Sequence, residues 1–438
     1  MIELIISFGL LLIIVLTFTK IEWGVSLFLA YMILVPVKQF SFGGVGIGSN
    51  ALFTLFLIGY LYNANKRGYT TSWRPLTPFV IYFVLAIIIM PLQSGVPLDT
   101  MVDAWRIDVM SVMILPFVIW NLLANDLTFN KMFRNTLLIA IFIAVTYGIV
   151  LIALNGINPY IMSLMDMLQS KQNFEAYYAA DNEGRLFGRI SSVFVHPMNY
   201  AFFLGLSLIY VFQLRHKYNK YLIAILILEI CFSALTCGVR SVLGALIVVI
   251  VYYFFVAHNY KVMFSIIVIA IVGDVIIETM PDYSEYIYSI ADIHNNNEAV
   301  KGSSWEMRLS QFEGCIKETS SNPLFGLGYG WTNFYHQIHG DHPIILSFES
   351  LIFVIICNWG VMGFVIWGLF VYKHTRINRN MRVNEVVLLD CLLIFFITYT
   401  CITGLYDFMR YFLIFYILIL GNNIESKSTN FIAYNNGK

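Results

Sequence analysis

"SALTCGVRSVLGALIVV", residues 233–249, places an arginine in a short turn between two apolar runs, at 221–236 and 241–257. The turn is too short to carry Arg240 far from hydrocarbon, and a charge held so close to lipid usually has a partner or a role. Apolar runs recur along the 438-residue chain, which is 59% hydrophobic and only 12% charged. The sequence therefore predicts an all-α polytopic membrane protein.

The apolar runs predict roughly 12–13 transmembrane helices, because a full span needs about 20 residues and several runs are shorter. They lie at residues 3–18, 24–36, 50–62, 77–91, 109–123, 136–154, 193–214, 221–236, 241–257, 262–279, 350–372, 386–404 and 411–421. The first run carries Glu3 and no cleavage site, so we interpret it as a retained span rather than a signal peptide. Residues 1–438 are predicted to form one membrane domain with a helical extracytoplasmic cap.

Loop charge predicts the topology. Two long polar segments, 155–192 and 281–345, carry several acidic residues, whereas the short loops at 63–74, 130–135, 215–220 and 373–382 are basic. The positive-inside bias makes the basic loops cytoplasmic and both long segments extracytoplasmic. We therefore expect a multi-pass protein of the bacterial cytoplasmic membrane, with its polar chemistry on the outer side.

Charge and cysteine content exclude two other kinds of site. The formal net charge is zero and no basic cluster is dense, which argues against nucleic-acid binding. The six cysteines include no C-x-x-C pair, so neither a disulfide nor a thiolate metal site is expected. We predict no metal and no cofactor.

Four arginines, Arg189, Arg240, Arg308 and Arg410, fall at the outer interface in this topology. The guanidinium group is a planar fork that binds phosphate oxygens in pairs and keeps its charge in poorly solvated places. They indicate a phosphate-bearing lipid ligand, with simple head-group anchoring as the alternative.

Arg308 lies in "SSWEMRLSQFEGCIKETSSNP", where Ser303 and Glu306 have the spacing of a capping box. Apolar residues at 305, 309, 312 and 316 predict one stripe of an amphipathic helix lying against the membrane or the helix bundle. "GLGYG", residues 326–330, predicts a turn more than an anion site, since no strand and helix flank it.

A general base is expected just beyond this turn. His336, His339 and His342 follow one another at intervals of three, in a segment that Gly340 and "DHP" indicate to be a loop. Histidine titrates near neutral pH, so a base is favoured over a metal site. Glu349, at the start of the next apolar run, is the other candidate, although it could equally be an acid stabilised by the helix dipole.

The order of four motifs resembles the O-antigen polymerase and O-antigen ligase family of bacterial envelope glycosyltransferases. They are "GRISSVFVHPMNYAFFLG", "TCGVRSVLGAL", "WEMRLSQFEGCIKETSSNPLFGLGYG" and "NWGVMGF", within residues 184–363. The resemblance implies inverting transfer of a sugar chain from an undecaprenyl pyrophosphate carrier to an acceptor hydroxyl, at the outer face of the membrane. It also implies that Arg189, Arg240 and Arg308 grip the pyrophosphate, without nucleotide or metal.

The implied partners are an undecaprenyl-pyrophosphate-linked oligosaccharide, membrane lipid and a chain-length regulator protein. Ligase-type members of the family carry a His-Asn pair where this chain has Glu349 and Ser350. This departure favours a repeat-unit polymerase for capsule, O-antigen or exopolysaccharide, and we favour His339 or His342 over Glu349 as the base. The alternatives are a ligase that transfers the glycan to lipid A core or protein, and a transporter or flippase of lipid-linked sugars.

Overall fold

The computed structural model describes residues 2–36, 40–42, 45–154, 156–164, 189–258, 305–346, 348–380, 386–405 and 407–425. The predicted span at 262–279 lies outside the described residues, as do 165–188 and 281–304 of the two long polar segments. The helices are α1 Ile2–Thr19, α2 Ile21–Leu34, α3 Ser49–Arg67, α4 Thr77–Ile89, α5 Leu98–Asn125, α6 Thr128–Ala153, α7 Pro159–Ser163, α8 Pro197–Gln213, α9 Lys220–Thr236, α10 Arg240–Ala257, α11 Trp305–Glu318, α12 Trp331–His339, α13 Leu351–Asn380, α14 Val386–Thr403 and α15 Phe408–Glu425.

The prediction of an all-α polytopic membrane protein is confirmed. Six helical stretches of the described chain are long and apolar enough to cross a membrane: Arg74–Leu92, Leu98–Asn125, Thr128–Ala153, Pro197–His216, Leu351–Arg379 and Val386–Thr403. Four shorter apolar helices join them: Leu4–Thr19, Ile21–Leu34, Arg240–Val256 and Phe408–Asn422. A small antiparallel hairpin, β1 Phe40–Phe42 with β2 Val45–Ile47, is an element that the sequence reasoning does not predict.

The core of the bundle is built around α15. Its residues 412–420 are each 0% exposed, which is the pattern of a helix that is apolar all round and enclosed by other helices. Outer helices show the opposite pattern, since Phe8 of α1 is 65% exposed and Leu228 of α9 is 68% exposed. Such outward apolar side chains form the surface that a lipid bilayer covers.

Helix ends group into two opposite ends of the bundle. At one end Arg67 pairs with Glu22 at 2.7 Å, and the Lys217 ammonium donates to the Asn422 carbonyl at 3.0 Å. We call this the basic end, because the described parts of the four basic loops lie here. We call the opposite end the cap end; it consists of residues 92–98, 189–197, 237–240, 305–346, 348–350, 403–405 and 407–408.

The longest helix, α13, is broken near the cap end. Gly360 has φ 59° and ψ −146°, so the helical hydrogen bonds stop there. The segment 322–328 replaces them: the amides of Leu327 and Gly328 donate to the carbonyls of Cys357 and Asn358 at 2.8 and 3.3 Å. Backbone groups at membrane depth are tolerated only when partners of this kind satisfy them.

Hydrogen bonds between segment 322–328 and α13 run in both directions. Beyond the break, the amides of Val361 and Met362 donate to the carbonyls of Pro323 and Leu324, both at 3.0 Å. The two backbones approach so closely that a β-carbon on Gly360 would lie 2.3 Å from the Pro323 carbonyl oxygen. A glycine is therefore required at this crossing. We call segment 322–328, "NPLFGLG", the splint of α13, because its backbone supplies the hydrogen-bond partners that the broken helix lacks.

Candidate active site

Arg308 ties the cap helix α11 to two other elements. Its Nη1 donates to the Glu349 main-chain oxygen at 2.6 Å, while its Nη2 lies 3.3 Å from the Ile402 carbonyl and 3.5 Å from Glu349 Oε2. Burial lowers the pKa of the Arg308 guanidinium, and the Glu349 carboxylate opposes that effect. Arginine stays charged despite such a shift, so a permanent positive charge sits at the cap end of α14.

The remaining face of α11 points outward. Leu309, Phe312 and Ile316, three of the residues predicted to form its apolar stripe, are between 37% and 53% exposed, whereas Cys315 is buried. The helix thus packs through its opposite face and leaves the stripe for lipid, as expected of a helix at the membrane interface. The predicted capping box starts at Ser303, outside the described residues.

Arg189 lies beside the turn that precedes α10. The amide of Ile190 donates to the Cys237 carbonyl at 3.2 Å, which joins the two segments. Burial raises the pKa of the Cys237 thiol to about 12, and the positive charge of Arg189 acts in the opposite direction. The guanidinium of Arg189 is therefore within electrostatic range of the turn that leads to Arg240.

Arg240 is the first residue of α10, and one helical turn later Gly244 packs against α14. A β-carbon on Gly244 would lie 3.9 Å from Ile402 Cδ1. Ile402 is also the residue whose carbonyl faces Arg308. The segments that carry Arg189, Arg240 and Arg308 thus meet around the cap end of α10 and α14, although the polypeptide between α10 and α11 is long.

His342 is held in a structural role. Its Nδ1 accepts hydrogen bonds from the amides of Ile344 and Ile345 at 3.1 and 3.0 Å, and its Nε2 lies 3.4 Å from Glu318 Oε1. The ring is 3% exposed. Both nitrogens are therefore occupied by the fold of the cap.

His336 and His339 lie in helix α12, so the prediction of a loop is wrong here. Gly330, at φ 73°, precedes the helix and Gly340, at φ 76°, ends it. Aromatic residues at 331, 334 and 335 recur at helical spacing, a signal that the histidine pattern obscured. His339 is exposed and its ring packs on Tyr335, with 4.9 Å between ring centroids.

Glu349 follows a strained turn. Leu346 and Phe348 have φ values of 54° and 55°, a region that side chains with a β-carbon rarely adopt. Immediately after it, the Ser350 hydroxyl donates to the Cys401 carbonyl at 2.7 Å, which fixes the start of α13 against α14. The turn leaves the Glu349 carboxylate 30% exposed beside Arg308. Of the three candidate bases, Glu349 contacts a predicted arginine.

Four of the five amides of "GLGYG", those of residues 326–329, donate hydrogen bonds within the protein. Besides the bonds to α13, the Tyr329 amide donates to Gln93 Oε1 at 3.1 Å and the Gly326 amide to the Asn322 carbonyl at 2.8 Å. Gln93 Nε2 in turn donates to the carbonyls of Phe325 and Asn358 at 2.6 and 2.8 Å. The segment is thus a structural turn rather than an anion-binding loop.

A cavity of about 300 Å³ opens between α4, α5, α8, α12, α13 and the α14–α15 connection. Its polar lining includes Asp108, Ser111, Asn199, Thr332, Asn333 and Asp407. Asn199 reaches it because His196 and Pro197 begin α8 at the cap end: the His196 ring accepts the Met198 amide, and proline suits the first turn.

The two carboxylates of the cavity are held differently. The Tyr329 hydroxyl donates to Asp108 Oδ2 at 2.5 Å, and burial, with the negative charge of Asp108, raises the pKa of Tyr329 well above its usual value. Asp407 lies 3.7 Å from Arg410 Nη2 and is 44% exposed. Arg410 itself is buried and donates to the Tyr411 hydroxyl at 2.9 Å, so it supports the cavity wall instead of meeting lipid head groups.

None of the arginines and candidate bases predicted from the sequence lines this cavity. Its polar residues come from helices far apart in the sequence, and each taken alone is an ordinary polar residue near a helix end. Within the described chain, no group of three or more His, Cys, Asp or Glu residues could hold a metal ion, and the six cysteines are free.

Asp390 is an acidic residue that lies between helices at the basic end. Asp390 accepts from Asn378 Nδ2 at 2.8 Å and from the Tyr252 hydroxyl at 3.2 Å, at the basic end and far from the arginines. This is an inter-helix hydrogen-bond network.

Comparison with known proteins gives one finding for this arrangement. Residues 222–368 match the family model described as O-antigen ligase. The matched part contains Arg240, Arg308, Glu349 and α13 as far as Gly368, whereas Arg189 and Asp407 lie outside it. No curated protein matches the chain. The segment from α9 to the middle of α13 is thus similar to the O-antigen ligase family model, and the chain is a multi-pass membrane protein consistent with the O-antigen polymerase and ligase family.

Proposed function

We propose that this protein is a membrane glycosyltransferase that polymerises undecaprenyl-pyrophosphate-linked oligosaccharide repeat units at the outer face of the bacterial cytoplasmic membrane. Its product is a capsule, O-antigen or exopolysaccharide chain. The observation that carries the proposal is Arg308, a charged guanidinium held at the cap end of α14 where the Arg189 and Arg240 segments also meet. The family match over residues 222–368 supports glycosyl transfer.

In the proposed reaction, Arg189, Arg240 and Arg308 bind the pyrophosphate of the donor lipid. An acceptor hydroxyl attacks the anomeric carbon of the donor sugar, the bond from that carbon to the pyrophosphate oxygen breaks, and the hydroxyl proton passes to a base. The undecaprenyl pyrophosphate leaves with the bonding electron pair. Fixed guanidinium groups stabilise the charge that grows on the departing oxygen, which is the largest contribution such a site makes.

Glu349, His339 and His342 remain the candidate bases, and we place Glu349 first. Its carboxylate is partly exposed and 3.5 Å from Arg308 Nη2, so a base and a pyrophosphate ligand adjoin each other there. His342 has both ring nitrogens engaged, and His339 is exposed at the end of α12. A base must reach the hydroxyl that it deprotonates, so position decides before pKa.

The choice of polymerase over ligase rests on Glu349 and Ser350, which stand where ligase-type members carry His and Asn. The description of the matched family, O-antigen ligase, supports the alternative. A transporter is less well supported. The helix α13 is broken, as transporter helices often are, but segment 322–328 hydrogen-bonds the backbone groups at the break. These are the carbonyls of Cys357 and Asn358 and the amides of Val361 and Met362, so none of the four is left for an ion. A chain-length regulator is the protein partner that the polymerase proposal implies.

The test is the glycan ladder of cells that lack the protein and carry variants at matched membrane abundance. Arg308→Ala and Arg240→Ala are expected to remove the polymer almost completely, because losing one partner of a desolvated charge pair costs about 2–5 kcal/mol. Arg308→Lys is expected to restore little, since an ammonium group does not reproduce the fork. Arg376→Lys and Arg379→Lys, at the basic end, are the controls.

The products separate the two enzyme classes. Loss of a polymerase leaves acceptors that carry single repeat units, whereas loss of a ligase leaves finished polymer on the carrier lipid. Near-normal ladders from both Arg240→Ala and Arg308→Ala would refute the role of these arginines.

A further inference from the structure

The cavity has the wrong charge for a pyrophosphate. Asp108 and Asp407 line it, and the lining residues include no lysine, arginine or histidine; Arg410 lies behind the wall, 3.7 Å from Asp407. Two carboxylates against one guanidinium leave the wall negative, which disfavours an anionic group, whereas hydroxyl groups can donate to the carboxylates. The ligand of this cavity is therefore neutral, or carries a neutral part that enters it.

The rest of the cavity wall is largely aromatic. Tyr82, Tyr329, Trp359 and Trp367 line the cavity, and the rings are in mutual contact: Tyr82 to Trp359 and Tyr82 to Trp367 at 5.4 Å, Tyr329 to Trp359 at 5.3 Å. A sugar ring combines hydroxyl groups at its edge with apolar C–H faces. A small number of precisely placed polar groups beside an aromatic surface suits a ligand of that kind.

Asn199 indicates that a hydrogen-bond donor is missing from the wall. Asn199 is one of the lining residues, and its side-chain oxygen is buried and has no hydrogen-bond partner among the described residues. Buried acceptors are nearly always satisfied in native proteins, so a donor on a bound molecule is the natural complement. Asn333 of α12 faces the same space from the other side and is exposed.

Location links the cavity to the arginine site. Trp331, next to the lining residue Thr332, packs on Phe348 at 5.6 Å between ring centroids, and Phe348 precedes Glu349. A volume of about 300 Å³ holds a small ligand and excludes a long glycan.

We propose that this cavity binds one neutral sugar ring of the lipid-linked glycan, through Asp108, Asp407, Asn199 and Asn333 and the aromatic wall. This rests on the proposed function, because it supplies the glycan. The ring belongs either to the donor, beside its pyrophosphate, or to the free end of the acceptor chain.

The experiment uses the full chain in lipid nanodiscs and three probes: undecaprenyl pyrophosphate without sugar, the lipid-linked oligosaccharide extracted from the producing cells, and the water-soluble glycan released from it. Asn199→Ala and Asn333→Ala each remove one hydrogen bond and are expected to weaken sugar binding about tenfold. Gln337→Ala, exposed on the same helix as Asn333 and outside the cavity lining, is the matched control.

If the donor sugar occupies the cavity, both variants lose affinity for the lipid-linked oligosaccharide and keep it for the bare lipid. If the acceptor end occupies it, the soluble glycan quenches tryptophan fluorescence in the unmodified protein and in Gln337→Ala, and both cavity variants lose the response. Unchanged binding of all probes, or an equal loss for both lipids, overturns the cavity assignment. Binding of the soluble glycan without any binding of pyrophosphate lipid would instead refute the proposed function.

Discussion

The main chain and side chain of Glu349 serve separate purposes. Its carbonyl accepts from Arg308 at 2.6 Å, whereas its carboxylate lies 3.5 Å from the same guanidinium. A substitution that changes only the carboxylate therefore leaves the shorter of the two contacts in place. This makes the role of the carboxylate as a base separable from the placement of Arg308.

We predict that Glu349→Gln retains binding of the donor lipid and lowers the rate of chain growth by about 10²–10⁴-fold, the usual contribution of a positioned base. The measurements are lipid binding in nanodiscs and ladder length in cells. Ser320→Ala, exposed on the cap, is the control. Normal growth in Glu349→Gln together with arrested growth in His339→Ala would transfer the role to His339.

His342 is predicted to affect stability. His342→Ala leaves the amides of Ile344 and Ile345 without their acceptor, which costs about 1–3 kcal/mol for a buried group. Thermal unfolding in detergent should show a lower midpoint for His342→Ala than for His339→Ala, whose ring is exposed. Equal midpoints for the two variants would contradict the structural role.

At this scale the sequence reasoning singles out Arg308 and Glu349, which the structure brings into contact, but it misses the cavity. The position of Arg308 follows from helix spacing and topology, and its contact with Glu349 joins two residues that were singled out separately. Asp108, Asn199 and Asp407 could not be found in this way, because only tertiary packing brings α5, α8 and the α14–α15 connection together.

Among the helices, α13 differs most from the structure that its sequence predicts. Residues 350–372 form one apolar run, which predicts an uninterrupted span, yet the helix breaks at Gly360. Hydropathy registers side chains, whereas the break depends on a backbone crossing with segment 322–328. The apolar runs nevertheless predict the helices α1, α9, α10 and α14 to within a few residues.

We predict that Gly360→Ala destabilises the protein by more than about 2 kcal/mol, since φ 59° with ψ −146° is nearly restricted to glycine and the added β-carbon meets Pro323. The midpoint of thermal unfolding in detergent measures the effect. Gly368→Ala, in the same helix with no heavy atom within 4 Å of its β-carbon position, should be neutral or slightly stabilising. A Gly360→Ala variant as stable as Gly368→Ala would mean that the crossing is loose.

For the whole molecule, the division into two ends decides the direction in which the site faces. Contacts such as Arg67 with Glu22, and Lys217 with Asn422, gather the basic loops at one end, while Arg308 and the cavity lie towards the other. From the positive-inside bias we predict that the cap end lies on the outer side.

We predict that single cysteines at Thr71 and Ser320, placed in a cysteine-free background, react with a membrane-impermeant thiol reagent from opposite sides. Both positions are exposed, Thr71 at the basic end and Ser320 on the cap. In intact cells Ser320→Cys should be labelled and Thr71→Cys only after permeabilisation. Labelling of both before permeabilisation would overturn the orientation.

The splint across α13 has a consequence for how the chain is made. Residues 322–328 leave the ribosome before α13, so the amides that will meet the Cys357 and Asn358 carbonyls have already been synthesised when the broken helix enters lipid. A polypeptide cut between residues 330 and 351 would bring α13 into the bilayer with its backbone partners on another fragment, exposed to an environment that cannot hydrogen-bond them. The fold of this span thus depends on residues 322–328, and split versions of the protein should assemble only when the loop-bearing fragment is translated in the same cell.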